Sequence, residues 1–203
     1  MNLKNTYNKI GDDWFKDHKP DDWWHQGTDI FISFLKSGAK VLDAGCGGGI
    51  ASQYLIERGF SVTGIDFSEK MIEIAKREAP LGKFLVMDMR DIGSLAEQFD
   101  GVYGKASLLH FPKKDIPEII GGLVKTLKNG GFLYVAVKET KPGQKDEQVI
   151  TENDYGHEYQ RFFSFFSLPE MEKYFTDSGI KVRSKRVFQS GSTSWIEVIG
   201  QKV

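Results

Sequence analysis

The sequence predicts an α/β fold built on an open, mostly parallel sheet. Short apolar runs typical of buried strands alternate with segments of helical periodicity from about residue 40 onward. The first of these runs, Val41–Gly49, passes from apolar residues into glycines at the point where a helix should begin. A strand that leads through a glycine loop into a helix is typical of a nucleotide-binding βαβ unit.

Composition and charge set the class of protein. The 203 residues are 40% hydrophobic, which is enough to bury the core of one domain, and the formal net charge is −1. This balance provides no field that would hold a nucleic acid or a membrane surface. The single cysteine, Cys46, is either a reactive thiol or a small residue that fills the loop. We expect a cytoplasmic protein with neither signal peptide nor membrane span.

The glycine loop indicates a nucleotide-like ligand. Gly45, Gly47 and Gly49 suit positions that need a positive φ or a close approach of ligand to backbone, and a helix from Ile50 would direct its amide groups at that ligand. The spacing lacks the third glycine of the dehydrogenase pattern G-x-G-x-x-G. The Asp43 carboxylate would repel a pyrophosphate but attract a ligand with ammonium and sulfonium groups. A nicotinamide oxidoreductase is therefore disfavoured.

The segment Asp43–Gly49 resembles the D-x-G-x-G-x-G motif of class I S-adenosylmethionine-dependent methyltransferases, of the small-molecule type. Asp66 ends the second predicted strand, about 20 residues on, where an acid binds ribose hydroxyls in nucleotide-binding folds. The resemblance runs from about Gly38 to the last residue. It implies a Rossmann-like three-layer α/β/α sandwich whose seven-stranded, mostly parallel sheet ends in an antiparallel hairpin. The methyltransferase domain would span 37–203, after an N-terminal helical and aromatic cap at 1–36.

Local signals place the elements of the first half. The cap is rich in aromatic and acidic residues, and its segment 27–36 has the apolar spacing of a helix that leads to the first strand. Ser68 is a suitable N-cap for a helix over 69–79, which Pro80 ends. A further helix is predicted at 50–58, and strands are predicted at 60–65, 83–87, 99–107 and 132–137.

The second half is placed in the same way. A continuous apolar stripe predicts a helix over 115–128, ended by Asn129-Gly130-Gly131 as its C-cap. The sequence Ser167-Leu168-Pro169-Glu170 is a capping box that opens a helix to Ser178, which Gly179 terminates. Alternating residues on either side of a short polar turn indicate the final hairpin, with strands at 180–189 and 194–202.

Residues 140–166 are the least regular and most polar part of the chain. A loop of this length in a compact domain tends to be a lid or a binding loop, so we predict a mobile substrate loop. The last part of these residues, 162–166, is an aromatic segment that follows the loop and has too many rings for all of them to face a ligand. That segment is predicted to be mostly structural, as an edge strand.

The resemblance implies S-adenosylmethionine as cofactor and S-adenosylhomocysteine as product. Tyr7 would approach the cofactor carboxylate, Asp66 the ribose, Asp88 the adenine amino group, and the end of the fourth strand at Lys105 the amino end of the cofactor. Asp88 could instead cap the next turn. The full set of predicted cofactor residues is Tyr7, Asp43, Gly45, Cys46, Gly47, Asp66, Phe67, Met71, Asp88, Met89 and Lys105.

Acceptor contacts are predicted around the ends of the later strands. His110 is the candidate catalytic base, since a neutral imidazole could take a proton from an attacking hydroxyl, amine or thiol; alternatively it only shapes the pocket. Arg161 could clamp an anionic acceptor or form an ordinary surface ion pair. Lys138 and Glu139 follow the fifth strand and could reach the acceptor. The predicted acceptor-binding residues are Trp14, His110, Glu139, His157, Tyr159 and Arg161.

These observations predict a methyltransferase that acts on a small molecule by in-line displacement. The N-P-P-Y and Pro-Cys motifs of nucleobase methyltransferases are absent from the sequence, and no clustered ligands suggest a metal. Three alternatives stay open: a non-catalytic S-adenosylmethionine-binding or regulatory protein, a protein or RNA methyltransferase, and the disfavoured nicotinamide enzyme. The acceptor atom and the oligomeric state are not determined by the sequence.

Overall fold

The computed structural model describes residues 2–203 and shows a seven-stranded sheet between layers of helices. The strands of this sheet are β1 (Lys40–Ala44), β2 (Ser61–Asp66), β3 (Lys83–Val86), β4 (Phe99–Lys105), β5 (Leu127–Lys138), β8 (Ile180–Ser190) and β9 (Thr193–Lys202). A separate pair consists of β6 (Glu147–Glu152) and β7 (Tyr159–Ser164). The helices are α1 (Leu3–His18), α2 (His25–Ser33), α3 (Ile50–Glu57), α4 (Glu69–Glu78), α5 (Ile116–Thr126) and α6 (Leu168–Asp177).

The strand order is β3-β2-β1-β4-β5-β9-β8. Pairing is parallel from β3 through β5, while β9 is antiparallel to both β5 and β8. The predicted mostly parallel sheet with its C-terminal antiparallel hairpin is therefore confirmed. From β1 the chain runs outward through β2 to β3 and then returns to β4 on the other side of β1. Ligands bind at such a switch point, beyond the carboxyl ends of the strands.

The core occupies both faces of the sheet. Leu42, Val102 and Leu133 share one face with the buried side chains of α5 and α6. Tyr103 and Tyr134 lie on the opposite face, with buried side chains of α2 and α3. Neighbouring residues of a strand belong to different clusters because successive side chains point to opposite faces. This two-sided burial explains the nearly continuous apolar runs from which the strands were predicted.

Two predicted helix starts are confirmed. Ser68 caps α4, because its hydroxyl accepts the amide N–H of Met71 at 3.1 Å. Ser167 and Glu170 form the capping box at the start of α6. The N-terminal cap consists of α1 and α2, and Ile10 of α1 packs into one cluster with Met71 on α4. This contact holds α1 beside the carboxyl ends of the strands.

The junction between α5 and β5 differs from the prediction. The helix ends at Thr126, and Leu127 already pairs with Phe99 of β4. Gly130, with φ of +78°, lies inside β5 and is not a helix C-cap. Leu127 is fully buried. The apolar stripe of the helix therefore passes without a break into the apolar pattern of the strand. For this reason the helix predicted from the sequence is too long at its C-terminal end.

Residues 140–166 also contain more regular secondary structure than predicted. The strands β6 and β7 form an antiparallel pair in which Glu147 is opposite Ser164 and Glu152 is opposite Tyr159. Only β7 contributes fully buried side chains to this hairpin, and Val149 of β6 is 52% exposed. A strand with so little burial has a polar sequence, which was read as a loop. Within residues 2–203, no helix combines the length and apolar character needed to cross a membrane.

Candidate functional site

A cavity of ≈ 380 Å³ lies at the carboxyl ends of β1, β2, β4 and β5. Helix α1, strand β7 and the turn at 190–193 contribute further parts of its surface. Twelve predicted site residues line it: Tyr7, Trp14, Gly45, Cys46, Gly47, Asp66, Phe67, Met71, Met89, Lys105, His110 and Arg161. The structure therefore brings together residues that are up to about 150 positions apart, from the cap, the glycine loop and the hairpin.

The glycine loop is shaped by its backbone. Gly45 has φ of +81°, and a Cβ added there would lie 2.4 Å from Cβ of Ser107. The amide N–H groups of Gly45 and Cys46 both donate to the carbonyl of Ile65, each at 2.9 Å. These amides therefore tie the loop to β2 and do not point at a ligand. What the loop offers is a backbone surface without side chains, close to Ser107.

Asp66 lies at the end of β2 and lines the cavity. Its Oδ2 accepts the amide N–H of Gly47 at 3.0 Å, and its Oδ1 accepts that of Ser68 at 2.9 Å. A carboxylate has about four acceptor positions, so two such bonds leave capacity for two more donors. Desolvation raises the pKa of Asp66 to about 6, although the two backbone hydrogen bonds oppose this rise.

Apolar side chains form the neighbouring surface, where Phe67, Met71, Met87 and Met89 line the cavity. The structure does not bring Asp88 to this surface. Its carboxylate caps the turn at 89–94 and binds the Arg90 guanidinium at 2.9 and 2.6 Å. This pairing holds the pKa of Asp88 below its usual range. Asp88 thus has the capping role that was the alternative to adenine binding.

Asp43 is also absent from the cavity surface. It is 2% exposed, and its Oδ2 accepts the hydroxyl of Ser52 at 2.7 Å. Burial raises the pKa of Asp43 to about 6, while the nearby Lys105 opposes the rise. The carboxylate therefore connects β1 to the first turn of α3 behind the glycine loop. The motif predicts that Asp43 attracts a cationic ligand directly, but the buried carboxylate does not reach the cavity surface.

Cys46 lines the cavity, and its thiol is buried. Desolvation, with smaller effects from Asp43 and Asp66, raises its pKa well above the usual value. Since the thiolate is the nucleophilic form, a thiol held protonated is unreactive. The structure therefore favours a space-filling role for Cys46 over a reactive one.

A hydrogen-bonded network links α1 to strand β7 of the β6–β7 hairpin. His110 is bonded through Nδ1 to the carbonyl of Phe162 at 2.8 Å and through Nε2 to the hydroxyl of Tyr7 at 2.8 Å. A carbonyl can only accept, so Nδ1 carries the hydrogen and Nε2 accepts the Tyr7 O–H. Arg161 donates to Tyr7 at 3.4 Å and binds Glu152 through two bonds of 2.6 and 2.5 Å. Arg161 is therefore a partly buried member of this network and does not form an ordinary surface ion pair.

The ionisation states of His110 and Tyr7 in this network follow from their burial. Desolvation lowers the pKa of His110 to about 3, and the positive charges of Arg161 and Lys138 act in the same direction. Burial raises the pKa of Tyr7, against the influence of Arg161. Both side chains are consequently neutral near pH 7. The basic nitrogen of His110 is occupied by Tyr7, which makes it poorly suited to take a proton from an acceptor.

The far end of the cavity is aromatic and was largely missed by the sequence reasoning. Trp23 stacks on Trp195 with ring centroids 4.0 Å apart. Nζ of Lys138 lies 4.3 Å from the ring centroid of Phe163, and Nζ of Lys105 lies 5.8 Å from that of Trp23. We call Trp23, Lys138, Phe163 and Trp195 the aromatic end of the cavity. The cross-strand pairing of Lys138 with Trp195 was the signal available, but it required the register of β5 and β9.

Three predicted acceptor residues, Glu139, His157 and Tyr159, do not line the cavity. Glu139 directly follows Lys138, so its side chain points the other way, and it accepts the Ser194 hydroxyl at 2.5 Å. Tyr159 packs in the cluster that joins α1 to α4, and His157 lies beside its ring. No group of three or more His, Cys, Asp or Glu within residues 2–203 is arranged to hold a metal ion.

Comparison with known proteins decides the family. A family profile described as a methyltransferase domain matches residues 41–131. The ubiquinone biosynthesis O-methyltransferase of Leptothrix cholodnii is 30% identical over 192 residues, which cover 81% of this chain and 80% of that protein. This chain belongs to the class I S-adenosylmethionine-dependent methyltransferase family. The predicted family and enzyme class are therefore confirmed. S-adenosylmethionine, the cofactor of this family, is confirmed with them.

Two further comparisons agree with this family and with its fold. The putative methyltransferase YqeM of Bacillus subtilis is 35% identical over 125 residues, which cover 59% of this chain and 49% of that protein. The crystal structure of magnesium protoporphyrin IX methyltransferase from Synechocystis PCC 6803 with bound S-adenosylhomocysteine shares the fold, with a TM-score of 0.75 at 20% identity, over 99% of this chain and 98% of that one. The chain spans about half the length of most curated relatives that it matches.

Proposed function

We propose that this methyltransferase binds S-adenosylmethionine at the glycine loop and transfers its methyl group to a small molecule at the aromatic end of the same cavity. The observation that carries this proposal is one continuous cavity that includes both Asp66, beside the glycine loop, and the aromatic end around Lys138. The sheet order separates β1 from β5 by two strand spacings, about 10 Å, which suits a cofactor and an acceptor side by side. When bound, the cofactor supplies an electrophilic methyl group on a sulfonium.

The residues at the glycine-loop end fit the cofactor. Asp66 retains acceptor capacity for the two ribose hydroxyls, and the methionine and phenylalanine side chains beside it suit an adenine ring. Ser107 Oγ and Trp14 Nε1 are buried, line the cavity and have no hydrogen-bond partner within residues 2–203. One can accept from an ammonium and the other can donate to a carboxylate. We assign Trp14 to the cofactor because a Cβ on Gly47 would lie 3.7 Å from its ring.

The size of the cavity favours a small acceptor over a macromolecule. Its volume of ≈ 380 Å³ falls in the range of small-ligand pockets, roughly 300–1,000 Å³. Relatives named for ubiquinone biosynthesis and for magnesium protoporphyrin IX support the same class. The formal net charge of −1 gives no support to an RNA substrate. The single buried cysteine supports a reducing compartment such as the cytoplasm.

The role of His110 follows from its hydrogen bonds. With Nδ1 bound to Phe162 and Nε2 bound to Tyr7, it fixes the Tyr7 hydroxyl and joins the cap to the hairpin. We therefore favour pocket shaping over general-base catalysis for His110. Alignment of the acceptor with the methyl group then supplies the acceleration, as positioning can in a displacement of this kind.

Calorimetric titration tests the cofactor site. We expect the protein to bind S-adenosylhomocysteine and S-adenosylmethionine but not NADH. Asp66→Ala should weaken S-adenosylhomocysteine binding by about 3 kcal/mol, or more than a hundredfold, because two charge-assisted hydrogen bonds are lost. Asp88→Ala is the matched control, since that carboxylate is committed to Arg90, and it should change affinity only slightly. Binding of NADH, or equal affinities for both variants and the unaltered protein, would contradict the proposal.

Turnover separates an enzyme from a regulatory binding protein. A panel of small aromatic, hydroxyl, thiol and amine compounds should include acceptors that release S-adenosylhomocysteine in stoichiometric amounts. Tight cofactor binding with no release for any compound in the panel would favour the regulatory alternative.

A further inference from the structure

We propose that the acceptor is a planar aromatic compound with an anionic oxygen group, a carboxylate or a phenolate, and that Lys138 is the residue that selects it. This inference rests on the proposed function, because it concerns the acceptor at the aromatic end of the same cavity. It concerns recognition, and it holds for either source of the negative charge.

The charge of Lys138 is the first observation. Its Nζ forms no ion pair and no hydrogen bond with any residue in the range 2–203, although the residue is partly buried and lines the cavity. The nearest carboxylate of the hairpin, Glu152, is committed to Arg161 through two hydrogen bonds. An ammonium that is partly removed from water and has no counter-ion is less favourable than a paired one, so this position gains from a ligand that brings a negative charge.

The other charged and titratable groups around Lys138 do not supply that charge. Arg161 and Glu152 neutralise each other, and Lys141, which follows β5, is a further cation. Tyr7 and His110 are neutral, as derived above, and Glu139 faces Ser194. On the neighbouring strand β4, the negative charges of Asp21 and Asp43 act on Lys105. Within residues 2–203, no carboxylate forms an ion pair with Lys138 at the aromatic end of the cavity, so this position matches a ligand that brings one negative charge.

The surfaces beside Lys138 are flat. Its Nζ lies 4.3 Å from the ring centroid of Phe163 and 6.0 Å from that of Trp195. The Trp195 ring stacks on Trp23 with an interplanar angle of 17°. Rings with this arrangement favour a planar aromatic ligand, which can pack against a ring face while its charged group reaches the ammonium. An aliphatic anion would satisfy the charge but not these surfaces.

The charge of Lys138 depends on pH near neutrality. Desolvation and the repulsion of Arg161 lower its pKa to about 8. The ammonium form therefore predominates near pH 7 and is lost as the pH rises through about 8. Affinity for an anion at this position should fall over the same range, whereas an arginine at 138 would keep its charge.

Matched small probes test the proposal on protein already saturated with S-adenosylhomocysteine. Benzoate and benzamide have nearly the same shape and differ in charge, while cyclohexanecarboxylate keeps the charge and lacks the planar ring. By calorimetry, benzoate should bind roughly tenfold to a hundredfold more tightly than benzamide, the range of one charge-assisted hydrogen bond, and more tightly than cyclohexanecarboxylate. A parallel titration with 4-nitrophenolate distinguishes a phenolate from a carboxylate.

Variants at position 138 assign the effect to the side chain. Lys138→Met should make the affinities for benzoate and benzamide equal, and Lys138→Arg should keep the preference and remove its decline above pH of about 8. Lys36→Met removes the same charge from an exposed position in the loop between α2 and β1 and is the control, in which the preference stays. S-adenosylhomocysteine binding, measured first on every variant, shows separately whether the cofactor site is intact.

Two outcomes would overturn the proposal while leaving the proposed function in place. In one, the cofactor binds but benzoate, 4-nitrophenolate and benzamide bind equally or not at all up to millimolar concentration. In the other, the preference for the anion persists in Lys138→Met. Failure of S-adenosylhomocysteine to bind the unaltered protein would instead reject the proposed function itself.

Discussion

Replacing Gly45 with alanine tests how the glycine loop is shaped. The residue has φ of +81°, a conformation that costs an L-residue about 1–2 kcal/mol. In addition, the new Cβ would lie 2.4 Å from Cβ of Ser107, where ordinary contacts begin at 3.4 Å. Overpacking of this kind costs about 1–3 kcal/mol. We therefore expect Gly45→Ala to lower the free energy of unfolding by about 2–5 kcal/mol, the sum of the two terms.

Gly38 provides a matched control. Its φ is +74°, but a Cβ added there meets no atom within 4 Å. Gly38→Ala should thus cost only the conformational term, about 1–2 kcal/mol. Because the two substitutions share that term, the difference between them measures the overlap with Ser107.

Urea unfolding of both variants, at constant m-value, measures these free energies. A double-mutant cycle with Ser107→Gly isolates the overlap, since the second substitution removes the Cβ that Gly45→Ala would meet. The coupling should be about 1–3 kcal/mol in favour of the double variant. Equal destabilisation by Gly45→Ala and Gly38→Ala, with no coupling, would refute the close approach of the loop to Ser107. Weaker S-adenosylhomocysteine binding is expected for Gly45→Ala alone.

Two further predictions concern buried polar groups. Burial raises the pKa of Asp43 from 3.8 to about 6. The folded state then binds the proton more tightly, and stability falls as the pH rises from about 4 to about 6. The free energy of unfolding of Asp43→Asn minus that of the unaltered protein should increase by about 3 kcal/mol between about pH 4 and pH 7; a flat difference in urea titrations would contradict this. Tyr7→Phe should cost about 1–3 kcal/mol, because Nε2 of His110 loses its donor inside the protein. Tyr155→Phe, whose hydroxyl binds the exposed Asp17, should stay within about 0.5 kcal/mol, and equal losses would argue against the buried bond.

The features that the sequence predicted correctly are those with local causes. The positive φ values of Gly45 and Gly47 are a property of the residue type at that position, and in the caps at Ser68 and Ser167 each hydroxyl accepts a backbone N–H three residues along the chain. The order of strands and helices follows from apolar periodicity, because two-sided burial of a parallel sheet requires continuous apolar runs. Each of these signals lies within a window of a few residues.

Predictions about the direction of a side chain succeeded less often. Asp43, Asp88 and Glu139 occur at strand ends, where the motif pattern places a site, yet each binds a group outside the cavity. A shift of one residue along a strand reverses the face to which a side chain points, and the motif does not determine that shift. The end of helix α5 was mispredicted because its apolar pattern continues into β5. Strand β6 was mispredicted because its burial depends on neighbours that are distant in sequence.

Taken by itself, the sequence determined the fold, the glycine loop with Asp66, and the methyltransferase family. The tertiary structure alone decided that His110 meets Tyr7, 103 positions earlier in the chain, and that its basic nitrogen is therefore occupied. It also decided that Lys138 and Trp195, from strands paired across the antiparallel edge, meet at one end of the cavity. These contacts depend on strand register and on the packing of the cap and hairpin against the sheet, which no local pattern encodes.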